Sequence, residues 1–209
     1  MVIIHHPGDV AERLAQLELT EEILVNALVQ ANMYRARMTS HHGFLYRCTV
    51  LSGETVAALR DALVPQGWEK KDDGHYDRVF NPRLNFCIAV ASGDEATGDR
   101  HQTPSNKSPK GPRTVKATRD NRTADLFPET LNAVEDAPVN TWLLLHCLLK
   151  DEIRLELARP DQLDAAEKYV TSWSERIILG TIPLDGSDNT PVTMPQTPDL
   201  DIIISRKQA

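Results

Sequence analysis

The chain has 209 residues, of which 41% are hydrophobic and 25% are charged, and its formal net charge is −7. This composition fits an ordinary globular protein and predicts a single domain over 1–209. The acidic balance argues against attraction of the whole chain to nucleic acid or to an anionic membrane. The sequence has no run of about 18 apolar residues and no secretion leader, so we expect a cytoplasmic protein with no membrane partner.

The N-terminal part, 1–40, is expected to be helical. Thr20 can cap a helix that has two glutamates in its first turn, and apolar residues recur at helical spacing over 20–38. Amphipathic helices bury such a face. The helix over 20–38 therefore packs on the core or contacts a protein partner or a second copy in a homodimer.

Sheet-forming residues are expected in two stretches, 41–91 and 140–206. In the first stretch, 44–51 is predicted to be a strand, and Ser52 is placed at the start of the helix that follows it. Two short strands then form a hairpin around Asp73-Gly74, a dipeptide that favours a two-residue turn. At the end of the stretch, large apolar residues alternate with smaller residues, which is typical of another strand.

In the second stretch, 141–149 is apolar on both faces, which predicts a central and nearly fully buried strand. It is expected to pair with 151–158 after a tight turn. Further strands are predicted at 169–179 and 201–204, and a short helical piece at 129–136. Together these hairpins and helices predict an α+β fold with a mostly antiparallel sheet.

Three cysteines, Cys48, Cys87 and Cys147, lie in apolar segments, and no CxxC motif occurs. An odd number in such positions predicts buried, reduced thiols and neither disulfides nor a zinc site. The histidines lack metal-ligand spacing, so no metal and no cofactor are expected. His146, on the predicted central strand, is interpreted as a core histidine and not as a catalytic base.

The segment 92–123 is predicted to be a long basic loop that contains glycine and proline. From Asp99 to Thr123 it carries a charge of +5 in a chain of −7, so its positive charge is local. Six of its basic residues recur at every third position: Lys107, Lys110, Arg113, Lys116, Arg119 and Arg122. In a polyproline II conformation, with three residues per turn, this row would lie on one side.

A helix beginning at Pro112 is the alternative for the second half of the segment, and there a three-residue spacing drifts around the surface. Arg113 would then lie in the first helical turn, where a bound phosphate offsets the unfavourable dipole. Lys107 and Lys110 lie just upstream and can close over the same anion. A solvated loop whose lysines aid solubility is the competing interpretation.

These residues predict a non-catalytic binding protein that engages a phosphate-bearing partner, either nucleic acid or a nucleotide, through the six basic side chains. One alternative is a metal-dependent phosphoesterase or nuclease that uses Asp94 and Glu95, which follow a predicted strand. Another is a protein–protein adaptor or an acidic mimic of nucleic-acid charge. Walker A, GxGxxG and GxSxG motifs do not occur, so the sequence does not predict the nucleotide or hydrolase sites that use them.

Overall fold

A computed structural model describes residues 1–73, 76–126 and 138–184. Its strands are β1 (Val2–Ile4), β2 (Glu69–Asp72), β3 (Asp77–Asn81), β4 (Phe86–Ser92), β5 (Asn140–Leu148), β6 (Glu152–Leu163) and β7 (Val170–Pro183). Its α-helices are α1 (Pro7–Gln16), α2 (Glu21–Ala36), α3 (Phe44–Leu63) and α4 (Pro112–Leu126). The predicted strand 201–204 and helical piece 129–136 lie outside the described residues.

The seven strands form one sheet in the order β1-β7-β6-β5-β4-β3-β2. The pairs β1–β7 and β4–β5 are parallel, and the other four pairs are antiparallel. The α+β class with a mostly antiparallel sheet is therefore confirmed. Within the described ranges, no helix is both long and apolar enough to cross a membrane.

The sheet separates two apolar layers. The larger one lies under α1, α2 and α3 and contains buried residues such as Leu14, Leu28 and Trp142. The smaller one lies on the opposite face and contains Leu143 and Trp173. Successive residues of a strand point to opposite faces, which is why Trp142 and Leu143 belong to different layers.

The predicted central strand is confirmed. β5 is buried from Thr141 to Cys147 and lies between β4 and β6. Its antiparallel pairing with β6 runs from Leu143 opposite Ala158 to Leu148 opposite Ile153. A strand that is covered on both faces must be apolar on both, so the sequence pattern and the position agree.

The predicted strand at 44–51 is wrong, because these residues form the first two turns of α3. The buried positions Leu51, Thr55, Leu59 and Leu63 recur every four residues, which is a helical period. Ser52 accordingly lies inside the helix and does not cap it. The eight-residue window that suggested a strand was too short to show this period.

The burial predicted for the three cysteines is wrong for one of them. Cys87 on β4 and Cys147 on β5 are buried, but Cys48 is exposed on the first part of α3. Cys48 is exposed because residues 44–51 form the first turns of α3, and these turns extend past the described residues that cover the rest of the helix.

A buried ion pair joins β6 and β7. The side chains of Glu156 and Arg176 are both 0% exposed and are 2.7 Å apart at their closest oxygen and nitrogen. The remaining donors of Arg176 reach the carbonyl oxygens of Asp99 (3.0 Å) and Gln102 (2.7 Å), and Glu156 also accepts a bond of 2.8 Å from the Gly98 amide. The two buried charged groups therefore find their further hydrogen-bond partners in residues 98–102, which lie over them.

The segment 92–123 is therefore not one long loop. Residues 93–111, which we call the cover segment, lie over the smaller apolar layer. Asn106 fixes their end by accepting a bond of 2.7 Å from the Val170 amide, and Trp173 Nε1 donates to Pro104 O over 2.8 Å. The rest of the segment begins α4 at Pro112. Of the two conformations considered for 112–120, polyproline II and a helix, the structure therefore has the helix.

We expect Glu156→Gln to lower the free energy of unfolding by about 3–5 kcal/mol, because it leaves the Arg176 charge buried without a carboxylate. Chemical denaturation monitored by Trp fluorescence measures this change. Glu152→Gln is the matched control on the same strand and face; its ion pair with Arg154 is about one-third exposed and should contribute less than about 1 kcal/mol. Equal losses in the two variants would contradict the role given to Glu156.

We also expect one fast-reacting thiol in the native protein. Cys48 is exposed, whereas Cys87 and Cys147 are buried, and burial raises the pKa of both buried thiols. Titration with a thiol reagent should give one equivalent rapidly and two more on unfolding. Cys48→Ser should abolish the rapid equivalent. Rapid labelling that persists in this variant would show that β4 or β5 opens.

Candidate anion-binding site

Helix α4 is held over the sheet by two side-chain anchors. Asn121 donates to Thr141 O (2.8 Å) and Pro160 O (3.1 Å) and accepts a bond of 2.8 Å from the Thr141 amide. Arg159 makes two bonds to the Asp125 carboxylate, at 2.7 and 2.9 Å. These contacts fix α4 on β5 and β6, where it also packs. The β2–β3 end of the same sheet face is left beside α4 and not beneath it.

A cavity of about 810 Å³ lies between α4 and the β2–β3 end of the sheet. It is lined by Lys71, Asp73, Tyr76, Arg78, Phe80, Asn85, Arg113, Lys116, Ala117, Asp120, Thr123, Pro138, Val139 and Thr141. Four of these side chains are cationic and two are carboxylates, which leaves the lining at +2. The cavity is therefore positive in an acidic protein.

The six basic residues predicted to bind an anion do not form one row. Residues three positions apart on a helix are separated by about 300° around its axis, which is about 60° short of a full turn. The four arginines and lysines of α4 are therefore spread over about half of its circumference. Arg113 and Lys116 line the cavity, whereas Arg119 and Arg122 line a separate hollow of about 160 Å³ beside the β6–β7 hairpin. Arg119 also forms an ion pair there with Glu167.

Lys107 and Lys110 belong to the cover segment and do not line the cavity. The Lys107 amide donates to Ser92 O, and the Lys110 amide donates to Lys168 O, both over 2.9 Å. The Lys107 side chain is exposed, while that of Lys110 is half-buried, and burial lowers the pKa of Lys110 to about 8. Of Lys107, Lys110 and Arg113, which were predicted to bind the same anion, only Arg113 lines the cavity.

The carboxylates of the cavity are already paired with its α4 cations. Arg113 forms an ion pair with Asp73, and Lys116 Nζ lies 2.6 Å from Asp120. The cations of the sheet edge make a different kind of contact: Lys71 lies 4.2 Å above the Phe80 ring and Arg78 lies 4.9 Å above the Tyr76 ring. Cation–π contacts hold a cation in place without neutralising it.

Two buried donors on side chains that line this cavity lack a partner in the part of the chain that the structure describes. They are the Nε atom of Arg78 and the hydroxyl of Tyr76. Thr114 lies beside the hydroxyl without reaching hydrogen-bond geometry. Burial raises the pKa of Tyr76, so its phenol stays a neutral O–H donor at every pH at which proteins are normally handled. Both atoms have almost no contact with solvent, so an acceptor such as a phosphate oxygen binds them when the two side chains turn towards the cavity.

Three residues of the cavity lining were not predicted from the sequence as site residues. They are Lys71, Tyr76 and Arg78, which come from the β2–β3 hairpin. Arg78 and Phe80 alternate with the buried Val79, so the period of two could have placed them on the same face. The sequence holds no signal that this face lies beside α4, which begins about 30 residues later.

Asp94 and Glu95, the candidates for phosphoesterase chemistry, lie in the turn after β4. Asp94 accepts bonds from the amides of Ala96 (3.1 Å) and Ser105 (3.0 Å), which close the start of the cover segment. Glu95 is exposed. Within the described ranges, no group of three His, Cys, Asp or Glu side chains is placed to hold a metal ion.

His146 lies on the opposite side of the sheet from the cavity, facing α3. It is 4% exposed, its Nε2 lies 2.9 Å from the Ser52 hydroxyl, and its Nδ1 has no partner among the described residues. Burial, with a smaller effect from the charge of Lys110, lowers the pKa of His146 to about 4. The imidazole is therefore neutral at pH 7, which agrees with its interpretation as a core histidine.

Comparisons of this chain with protein-family models, with curated proteins and with solved structures found no match.

We expect the burial of His146 to make stability depend on pH. Its pKa falls from 6.5 to about 4 on folding, so its contribution is complete above pH 6.5 and is lost as the pH falls towards 4. The free energy of unfolding should decrease by about 3 kcal/mol across this range. Denaturation at several pH values tests this, and His146→Gln should remove that part of the slope. His101→Gln, at an exposed histidine, is the control, and an unchanged slope in His146→Gln would refute the assignment.

Proposed function

We propose that this protein binds a small phosphate-bearing ligand, such as a nucleotide, in the cavity between α4 and the β2–β3 end of the sheet, without catalysing a reaction. The observation that carries the proposal is the pair of buried donors, Arg78 Nε and the Tyr76 hydroxyl, which belong to two residues that line this cavity and have no partner in the described chain. A buried donor left unsatisfied costs about 1–3 kcal/mol, and more when it is charged. An anion in the cavity that draws these two side chains towards it would recover that cost.

The charge and size of the cavity support a phosphate group. The lining charge of +2 matches a group that carries nearly two negative charges at pH 7. A volume of about 810 Å³ falls within the usual range of small-molecule sites, which is about 300–1,000 Å³. The ring of Phe80 adds an apolar wall that suits the organic part of such a ligand.

The division of the basic row favours a small ligand over a nucleic-acid strand. A strand needs a continuous positive track that follows its backbone. Here Arg113 and Lys116 lie in the cavity, whereas Arg119 and Arg122 turn towards the β6–β7 hairpin. The acidic partners Asp73 and Asp120 further limit the positive region to the sheet side of the cavity.

We expect Arg78→Met to weaken binding of ATP and of inorganic pyrophosphate at least about tenfold, because a charge-assisted hydrogen bond contributes about 1.5–3 kcal/mol. Isothermal titration calorimetry at two salt concentrations measures the affinities. Unfolding of the ligand-free variant should not be easier than in the wild type, since the substitution removes an unsatisfied donor.

The matched control is Arg119→Met, which changes an exposed arginine of α4 that lines the other hollow and pairs with Glu167. Its affinities should stay within about twofold of the wild type, which is the usual size of surface effects. The proposal is refuted if wild-type protein binds neither probe at low salt, or if Arg119→Met loses as much affinity as Arg78→Met.

Three further readouts separate the alternatives. Release of phosphate from ATP that Asp94→Asn abolishes would favour the phosphoesterase and contradict a purely binding role. Tighter binding of single-stranded or duplex nucleic acid than of ATP would favour a polymer ligand. Binding of none of these, with a specific protein complex that survives Arg78→Met, would favour the adaptor.

A further inference from the structure

The end of the α2–α3 hairpin carries large apolar side chains that no residue of 1–73, 76–126 or 138–184 covers. The exposed fractions are 53% for Tyr34, 71% for Phe44, 77% for Leu45 and 53% for Tyr46. Every residue from 39 to 49 is exposed, including the first six residues of α3. We call residues 34–49 the tip. Exposed apolar clusters of this kind mark interaction surfaces.

The tip is positively charged in an otherwise acidic protein. Between Glu22 and Glu54 the sequence contains no Asp, Glu or Lys, but it contains Arg35, Arg37 and Arg47. The chain as a whole has a net charge of −7, so the remaining residues carry −10. The N-terminus of α3 lies in the tip with Gly43 as its cap and no side-chain oxygen on its free amides, which adds a positive helix end.

The arrangement of the apolar residues identifies what can cover them. Phe44, Leu45 and Tyr46 are consecutive, so they point about 100° apart around the start of α3. A groove on a partner protein contacts only one face of a helix, and the side chains that it binds are three or four residues apart. A second copy of the tip would bring arginines against arginines across a two-fold axis. A lipid interface accepts apolar side chains from all sides of a protruding end.

We propose that the tip docks on an anionic lipid bilayer, with Phe44 and Leu45 inserted below the headgroups and Arg37 and Arg47 in contact with lipid phosphates. Six exposed residues of α3 extend about 9 Å along the helix axis, which matches the depth of about 5–10 Å that interfacial segments reach. The contact is peripheral and needs no spanning helix. It is also local, because the acidic remainder is screened beyond about 8 Å at physiological salt.

This surface is independent of the proposed cavity function. The tip belongs to the helices that cover the larger apolar layer, whereas the cavity lies on the opposite face of the sheet beside α4. Changes at the tip should therefore leave ATP binding unaltered, and Arg78→Met should leave lipid binding unaltered.

The test is sedimentation of the full chain with two kinds of vesicle. The first contains about 30% phosphatidylserine in phosphatidylcholine and has a negative surface like that of a cytoplasmic leaflet. The second contains phosphatidylcholine alone and has no net charge. Wild-type protein should bind the first and not the second. Phe44→Ser/Leu45→Ser should reduce binding at least about tenfold, because each side chain loses its apolar transfer. Arg37→Gln/Arg47→Gln should also reduce it, by about thirtyfold.

Two variants serve as controls. Leu84→Ser changes a residue of the β3–β4 turn that is 39% exposed, and Lys107→Gln/Arg122→Gln removes two exposed charges away from the tip. Both should bind vesicles as the wild type does. All the altered side chains are exposed, so circular dichroism and thermal unfolding should show unchanged folding.

Several outcomes would overturn the proposal. They are absence of binding to the anionic vesicles, equal binding by the tip variants and the wild type, and equal binding to both kinds of vesicle. If analytical ultracentrifugation shows a dimer that Phe44→Ser/Leu45→Ser dissociates, and vesicles do not bind, the tip is a self-association surface. If a single-stranded RNA binds through the tip and vesicles do not, the tip is a nucleic-acid site.

Discussion

The structure depends on burying two opposite charges, Glu156 and Arg176, between β6 and β7. Taking both charges out of water costs several kcal/mol per ion and is tolerated only when every donor and acceptor is satisfied. Their mutual bonds leave donors of Arg176 unpaired, and the carbonyls of Asp99 and Gln102 accept them. The ion pair and the cover segment therefore stabilise each other, since neither would be satisfied without the other.

This mutual dependence determines where α4 lies. The cover segment crosses the smaller apolar layer and ends at 111, so the helix that begins at Pro112 starts on the same face and packs there on β5 and β6. Asn121 and Arg159 then fix it to β5 and β6 through backbone and carboxylate bonds. The sheet extends further, to β3 and β2, and the width beside the helix that no described residue covers is the cavity. The candidate site is thus a consequence of a sheet that is wider than its cover.

Positive charge is concentrated in two regions of an acidic protein, on opposite faces of the sheet. In the cavity, the cations on α4 are paired with carboxylates, while Lys71 and Arg78 rest on aromatic rings. At the tip, three arginines lie among apolar side chains with no acidic residue in the neighbouring sequence. Each region combines local charge with a structural feature that lacks a partner in the described chain: buried donors in the first, exposed apolar side chains in the second.

The sequence by itself determined the features that depend on neighbouring residues. The two apolar faces of 141–149 specified the central strand, Thr20 specified the start of α2, and the mixture of hairpins and helices specified the α+β class. In each case the signal lies within one element, because burial on both faces, helix capping and turn formation are local requirements. The capping bond from the Ile23 amide to the Thr20 hydroxyl, at 3.3 Å, is an example.

Only the tertiary structure decided the rest. It made 44–51 the start of a helix and exposed Cys48, it folded 93–111 over the sheet, and it separated Arg113 from Arg122. Tyr76 and Arg78 can be identified as site residues only from the position of α4 beside them. These features depend on contacts such as Gly98 with Glu156 and Asn121 with Pro160, which are 58 and 39 residues apart. A short stretch of sequence cannot predict these contacts, because the free energy that selects each conformation comes from burial and hydrogen bonding with distant parts of the chain.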